Sequence, residues 1–108
     1  MATRDIRAET QTPDGRRVML FEDTWREHIT DPREGHPEIE PHLDAVLATV
    51  SQPDYHEPDV RAGRERFYKH GTGPSSWLVV VVSFEQEPAR IVTAFAIGDK
   101  RAPGQVTP

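Results

Sequence analysis

Two segments of the chain concentrate the residue types that perform chemistry. The first, WREHITDPREGHPEIEPH from Trp25 to His42, holds three of the five histidines among acids and prolines. Imidazole titrates near neutrality and serves as general acid, general base or metal ligand. As metal ligands, His28, His36 and His42 are separated by eight and six residues, whereas a helical pair holding one ion needs a spacing of four. A loop bringing His28 and His36 together with Asp31 or Glu38 is the one arrangement left for an ion, so the expectation is no metal and no cofactor. The second segment, GRERFYKHG, reads as a strand, in which alternate residues share a face. Arg64, Arg66, Tyr68 and His70 then point one way, with Glu65, Phe67 and Lys69 on the other. Two guanidiniums, a phenol and an imidazole in a row suit a phosphate, because arginine offers planar paired donors and stays charged. The competing reading is a solvated strand face whose arginines pair with the acidic helix layer. Ser75 and Ser76 lack the G-x-S-x-G elbow of a serine hydrolase, and Gly71 and Gly73 lack the strand–loop–helix setting of a phosphate loop.

These groups need elements to hold them. IRAETQ and RVMLFED flank TPDGR, whose Pro-Asp-Gly signals a turn and hence an N-terminal hairpin. A short helix is predicted over 24–30, ended at Asp31-Pro32 because the residue before proline avoids the α region. Ile39, Leu43, Val46, Leu47 and Val50 form one apolar stripe at helical spacing. Pro41 argues for a loose turn over 37–40 and a regular helix starting near Pro41, ended by Gln52-Pro53-Asp54. YHEPDVRA and RERFYKH flank Gly63, Trp77 to Phe84 has the pattern of a strand covered on both faces, and Arg90 to Ile97 reads as a second buried strand beside it. The fold class is α+β. The expected architecture is an N-terminal hairpin and two helices packed on a four-stranded antiparallel sheet, as one domain over residues 1–108 with its core about 17–98 and a polar tail at 99–108.

The chain has 108 residues and no cysteine, which excludes disulfides and thiolate chemistry. A domain of this size buries roughly two thirds of its unfolded surface, enough for one core. The N-terminus has no apolar stretch resembling a signal peptide. The longest apolar run, Trp77 to Val82, is far short of the ~20 residues of a membrane helix. A cytoplasmic protein without membrane contact is the expectation. A net charge of −5 argues against generic nucleic-acid binding. Its distribution is uneven, however. Trp25 to Val60 carries −7 and Arg61 to Ser75 carries +3, which can mark an interaction surface.

The order of motifs resembles a known family. W-x-x-H-I (Trp25, His28, Ile29) precedes H-P-E (His36, Pro37, Glu38). L-x-x-V-x-x-T-V-x-x-P-D follows from Leu43 to Asp54, then R-E-R-F-Y (Arg64 to Tyr68), a valine-rich strand and V-T-A-F (Val92 to Phe95). Together, over roughly 21–95, these resemble the phage- and prophage-associated nuclease-like domains of the barnase/EndoU/colicin/RelE-like superfamily, with RelE- and BrnT-type toxins as more distant relatives. The resemblance implies metal-independent RNA cleavage by 2′-hydroxyl attack, in a toxin with a cognate inhibitor protein. It makes His28 or His36 the proton-transfer group and Arg66, with Arg64 beside it, the holder of the scissile phosphate. Thr93 would donate to a phosphate oxygen. Tyr68 would do the same or stack on a base, with His70 on the same face. Thr93 shares a predicted strand face with Ile91, Phe95 and Ile97, so burial is its competing role. On this reading Arg66→Ala abolishes cleavage and leaves the fold intact. The acidic balance departs from the basic character of such toxins and keeps a second class open, a non-catalytic protein-binding domain of the same fold.

Overall fold

A computed structural model describes residues 5–101. Strands β1 (Ile6–Gln11) and β2 (Arg17–Phe21) form the expected hairpin, and Gly15 at φ 87° supplies the left-handed residue its turn requires. Helix α1 (Glu22–Thr24) continues as a π-helical turn, Trp25–Ile29. A 3₁₀ turn, Pro37–His42, leads into α2 (Leu43–Ser51). Strands β3 (Tyr55–Pro58), β4 (Arg64–His70), β5 (Trp77–Ser83) and β6 (Ala89–Ile97) follow, and a last 3₁₀ turn spans Asp99–Arg101. Of the expected polar tail, residues 99–101 form that turn, and 102–108 lie outside the described residues. No helix among the described residues is long and apolar enough to cross a membrane.

The α+β class is therefore observed, but the sheet corrects the expected architecture. It has six strands in the order β1-β2-β6-β5-β4-β3 and is mixed. The four antiparallel strands β3 to β6 are present. The N-terminal hairpin extends them through a parallel pairing of β2 with β6, at Val18–Ala89 and Met19–Arg90. Parallel pairing of distant segments has no local turn chemistry to announce it, unlike a hairpin.

The core follows the periodicities. The stripe on α2 is buried through Val46 and Val50, with Ile39 from the 3₁₀ turn and Leu43 and Leu47 packed beside them. It meets Phe67, Leu78, Val80, Val82 and Ala94 on one sheet face, and Trp25 and Ile29 close the flank. The expected irregularity at Pro41 is real. The proline sits inside the 3₁₀ turn, and regular helix begins only at Leu43, two residues later than the sequence suggests. The opposite sheet face carries a smaller cluster of Tyr68, Val79 and Ile97 with Trp77 and Phe95, so β5 is covered on both sides as its composition implies.

Two carboxylates tie the sheet together. Glu65 accepts from both Arg16 guanidinium nitrogens at 3.1 and 3.3 Å and pairs with His56, which stacks on Phe67 at 4.4 Å. Asp59 accepts from Arg66 Nε at 2.6 Å. Burial pushes both carboxyls up. The hydrogen bonds from Arg66 and neighbouring backbone N–H groups at Asp59, and from Arg16 and His56 at Glu65, outweigh it, and both sit below their ordinary values. A carboxyl depressed by folding contributes stability that is present above its unfolded value and is lost as pH falls through its folded value. Stability is expected to decline with acid below about pH 4. In urea titrations across pH, Asp59→Asn and Glu65→Gln should each lower stability at neutral pH and flatten the acid limb. An unchanged limb in both variants would contradict the assignment.

Candidate active site

The π-helical turn places His28. Its width is set by the Thr30 N–H, which donates to the Trp25 carbonyl at 2.9 Å across five residues, joined by the Thr30 hydroxyl at 2.8 Å. Such turns recur at functional sites because they redirect side chains out of helical register. Trp25 and Ile29 remain buried while His28 is exposed. The chain then folds back on itself. Asp31 Oδ2 accepts from the Arg33 and Glu34 backbone N–H groups at 3.0 and 2.7 Å, and the Gly35 N–H donates to the Asp31 carbonyl. The His36 N–H donates to the Ile29 carbonyl at 2.6 Å, which returns residues 31–36 to the turn bearing His28.

The sheet supplies the other wall. Beyond Arg90, β6 leaves β2 and instead meets α1, its π turn and the 3₁₀ turn. A one-residue bulge at Val92 shifts the pairing from Val82–Ile91 to Val81–Thr93. It overturns the expectation that Ile91 and Thr93 share a face. Ile91 is 1 % exposed in the main core, whereas Thr93 is half-buried in the row of Arg66 and Val81.

Where β2 and β6 part, an open cleft of ≈ 400 Å³ is lined by Thr24, His28, Glu34, Arg64, Arg90 and residues 91–93 of β6. Three sequence candidates, His28, Arg64 and Thr93, thus meet at one cleft. Arg64, Ser83 and Arg90 form one cross-strand row, which brings guanidiniums from β4 and β6 to the same end of the sheet. Arg64 Nε is buried without a hydrogen-bond partner among the described residues, and neither Arg64 nor Arg90 forms an ion pair there. Glu34 and Arg90 were not singled out in the sequence. Arg90 opens a buried strand and Glu34 lies in a loop, so neither shows a periodic signal.

The remaining candidates lie elsewhere. Arg66 is held by Asp59 and lies 3.9 Å from Glu57, and its Nη1 donates to the Tyr68 hydroxyl at 3.4 Å. It does pair with acidic residues upstream, but they come from the β3–β4 hairpin and not from the helical layer. Its hydrogen bond to Asp59, then that to Tyr68, hold its charge more firmly than usual. Tyr68 is 4 % exposed and its hydroxyl donates to Glu57 at 2.6 Å, which leaves neither ring face nor hydroxyl for a substrate. Burial, then the bond to Glu57, raises its pKa. His36 lies 3.7 Å from Glu38, with its ring 5.8 Å from Phe95. His70 packs edge-on against Trp77 at 4.8 Å, 3.9 Å from Asp99. His42 caps α2. No group of three or more metal-binding side chains assembles among the described residues.

The role expected of Arg66 changes accordingly. Arg66→Ala leaves a largely buried Asp59 carboxylate, 13 % exposed, without its partner. It is expected to cost about 1–3 kcal/mol, read as a lower urea midpoint at constant slope. A fully stable variant would return Arg66 to the surface role first assigned to it.

The cleft combines an imidazole, a carboxylate, a hydroxyl and two guanidiniums that form no ion pair among the described residues, the set needed to bind a phosphodiester and move a proton beside it. Compared with family models, curated proteins and solved structures, the chain finds no match.

Proposed function

We propose that the protein is a metal-independent endoribonuclease of the barnase/EndoU/colicin/RelE-like kind, acting in the cytoplasm as a toxin with a cognate inhibitor protein. The observation that carries the reading is the pair of guanidiniums, Arg64 and Arg90, without ion pairs among the described residues and in one cleft with His28 and Thr93. A phosphate in the cleft accepts from Arg64, Arg90 and the Thr93 hydroxyl. Glu34 takes the proton of the ribose 2′-hydroxyl, and the 2′-oxygen forms its bond to phosphorus. The bond to the 5′-oxygen breaks, and His28 gives that oxygen a proton. The two guanidiniums stabilise the added charge on the pentacoordinate phosphorus, for which fixed donors are the largest single contribution. The products are a 2′,3′-cyclic phosphate and a free 5′-hydroxyl.

The test is incubation of a labelled mixed RNA with the protein in EDTA, beside His28→Gln and Arg64→Ala. Cleavage by the wild type alone, leaving 2′,3′-cyclic ends, is the expected result. Absence of cleavage at high protein concentration would sink the reading. That outcome would favour the second one, a non-catalytic protein-binding domain, which draws its support from the dispersal of His36, Arg66 and His70 away from the cleft.

A further inference from the structure

We infer that the partly exposed rings on the sheet face opposite the helices, beside the cleft, form a base-stacking platform that restricts the substrate to single-stranded RNA. The inference rests on the reading of the Arg64–Arg90 cleft as the phosphate site. The bulge at Val92 turns Thr93 and Phe95 outward on the face opposite the helices. Residues two apart on one strand face are about 6.6 Å apart, comparable to one step along an extended nucleic-acid strand. Phe95 lies two such steps from the arginine row, about 13 Å, with Thr93 between, so a phosphate held at the arginines brings the base of the second nucleotide along over Phe95.

That ring is built to receive it. Phe95 is only partly covered, and His36, with its side chain 44 % exposed, stands 5.8 Å away at an interplanar angle of 40°, an open jaw and not a closed stack. Trp77 is diagonal to Phe95 across the β5–β6 ladder and carries His70 at its edge, so a second ring follows the first. Charge fixes the direction. The cations without ion pairs among the described residues lie at the Arg64–Arg90 end. Toward β3, Arg66 is already neutralised by Asp59 and Glu57, and Glu38 and Asp99 flank the histidines of the aromatic end. A polyanion is thus drawn along β6 with phosphates at the arginines and bases on the rings. Stacking tolerates every base because each has a π face, and a duplex hides those faces.

A fluorescein-labelled 2′-O-methyl oligoribonucleotide, which lacks the attacking hydroxyl, reports binding by anisotropy apart from any cleavage. Phe95→Leu keeps an apolar side chain but loses the π face and is expected to weaken binding about ten-fold or more. Phe95→Trp is expected to retain it, and annealing the complementary strand to abolish it. Equal binding by Phe95→Leu, equal binding of the duplex, or no binding of the single strand would each overturn the platform. Phe95-dependent binding by a protein that cleaves no unmodified RNA would retain the platform and sink the nuclease. Cleavage indifferent to Phe95→Leu would do the reverse.

Discussion

Arg64→Met is expected to abolish RNA cleavage and to raise the melting temperature. The two effects have one cause. The buried Nε of Arg64 has no acceptor among the described residues, and an unsatisfied buried donor costs about 1–3 kcal/mol. Methionine keeps an unbranched apolar stem reaching about as far as Nε and removes that donor. Each kcal/mol regained in a domain near this size corresponds to about 4–8 °C in Tm. Loss of a fixed donor to the transition state should lower kcat by about 10²- to 10³-fold. A binding arginine held in an unsatisfied state trades stability for function, and this variant measures both sides. Scanning calorimetry and the RNA assay check it together. A lower Tm with intact cleavage would mean that Arg64 is a structural residue.

Gly35→Ala is the second large effect, and it acts on the other wall of the cleft. A Cβ at residue 35 would lie 2.2 Å from the His28 carbonyl oxygen and 2.7 Å from that of Ile29. Both obstacles are backbone, so no side-chain rotation relieves the clash. The 31–36 loop must lift away from the π turn, breaking the His36 N–H bond to Ile29 and carrying Glu34 and His36 with it. Overpacking of this kind costs about 1–3 kcal/mol and sometimes more. A loop displacement of an ångström is enough to reduce catalysis about 10²-fold. The expected signature is reduced stability together with reduced cleavage, against a nearly unchanged Gly98→Ala control at a position with open space and no left-handed backbone. A Gly35→Ala protein as active as wild type would show that the loop does not position the site.

Legibility in the sequence followed the range of the interaction. Ile39, Val46 and Val50 announced their helix face, and Thr12 to Arg16 announced a turn, because both rest on neighbours in the chain. Arg64 and Arg66 were correctly placed on one strand face by alternation. Which of the two was free depended on Asp59, a residue brought alongside by the β3–β4 hairpin, and alternation carries no information about that. The Val92 bulge was hidden for a similar reason: V-T-A-F has the composition of an ordinary strand, and the extra residue appears only against the register of β5. The parallel β2–β6 contact and the cleft that opens where it ends were the least legible features, since neither has a local sequence cause.

That parallel contact also constrains how the molecule comes into being. β2 is made well before its partner β6, with α2 and strands β3 to β5 between them in the chain. Until then the β1–β2 hairpin has no sheet to join, and Val18 and Leu20 have no core to enter. Pairings between distant segments are slow to form because their loop-closure entropy must be met first. The cleft, framed by β6 and the π turn, therefore takes shape only after β6 has joined the sheet.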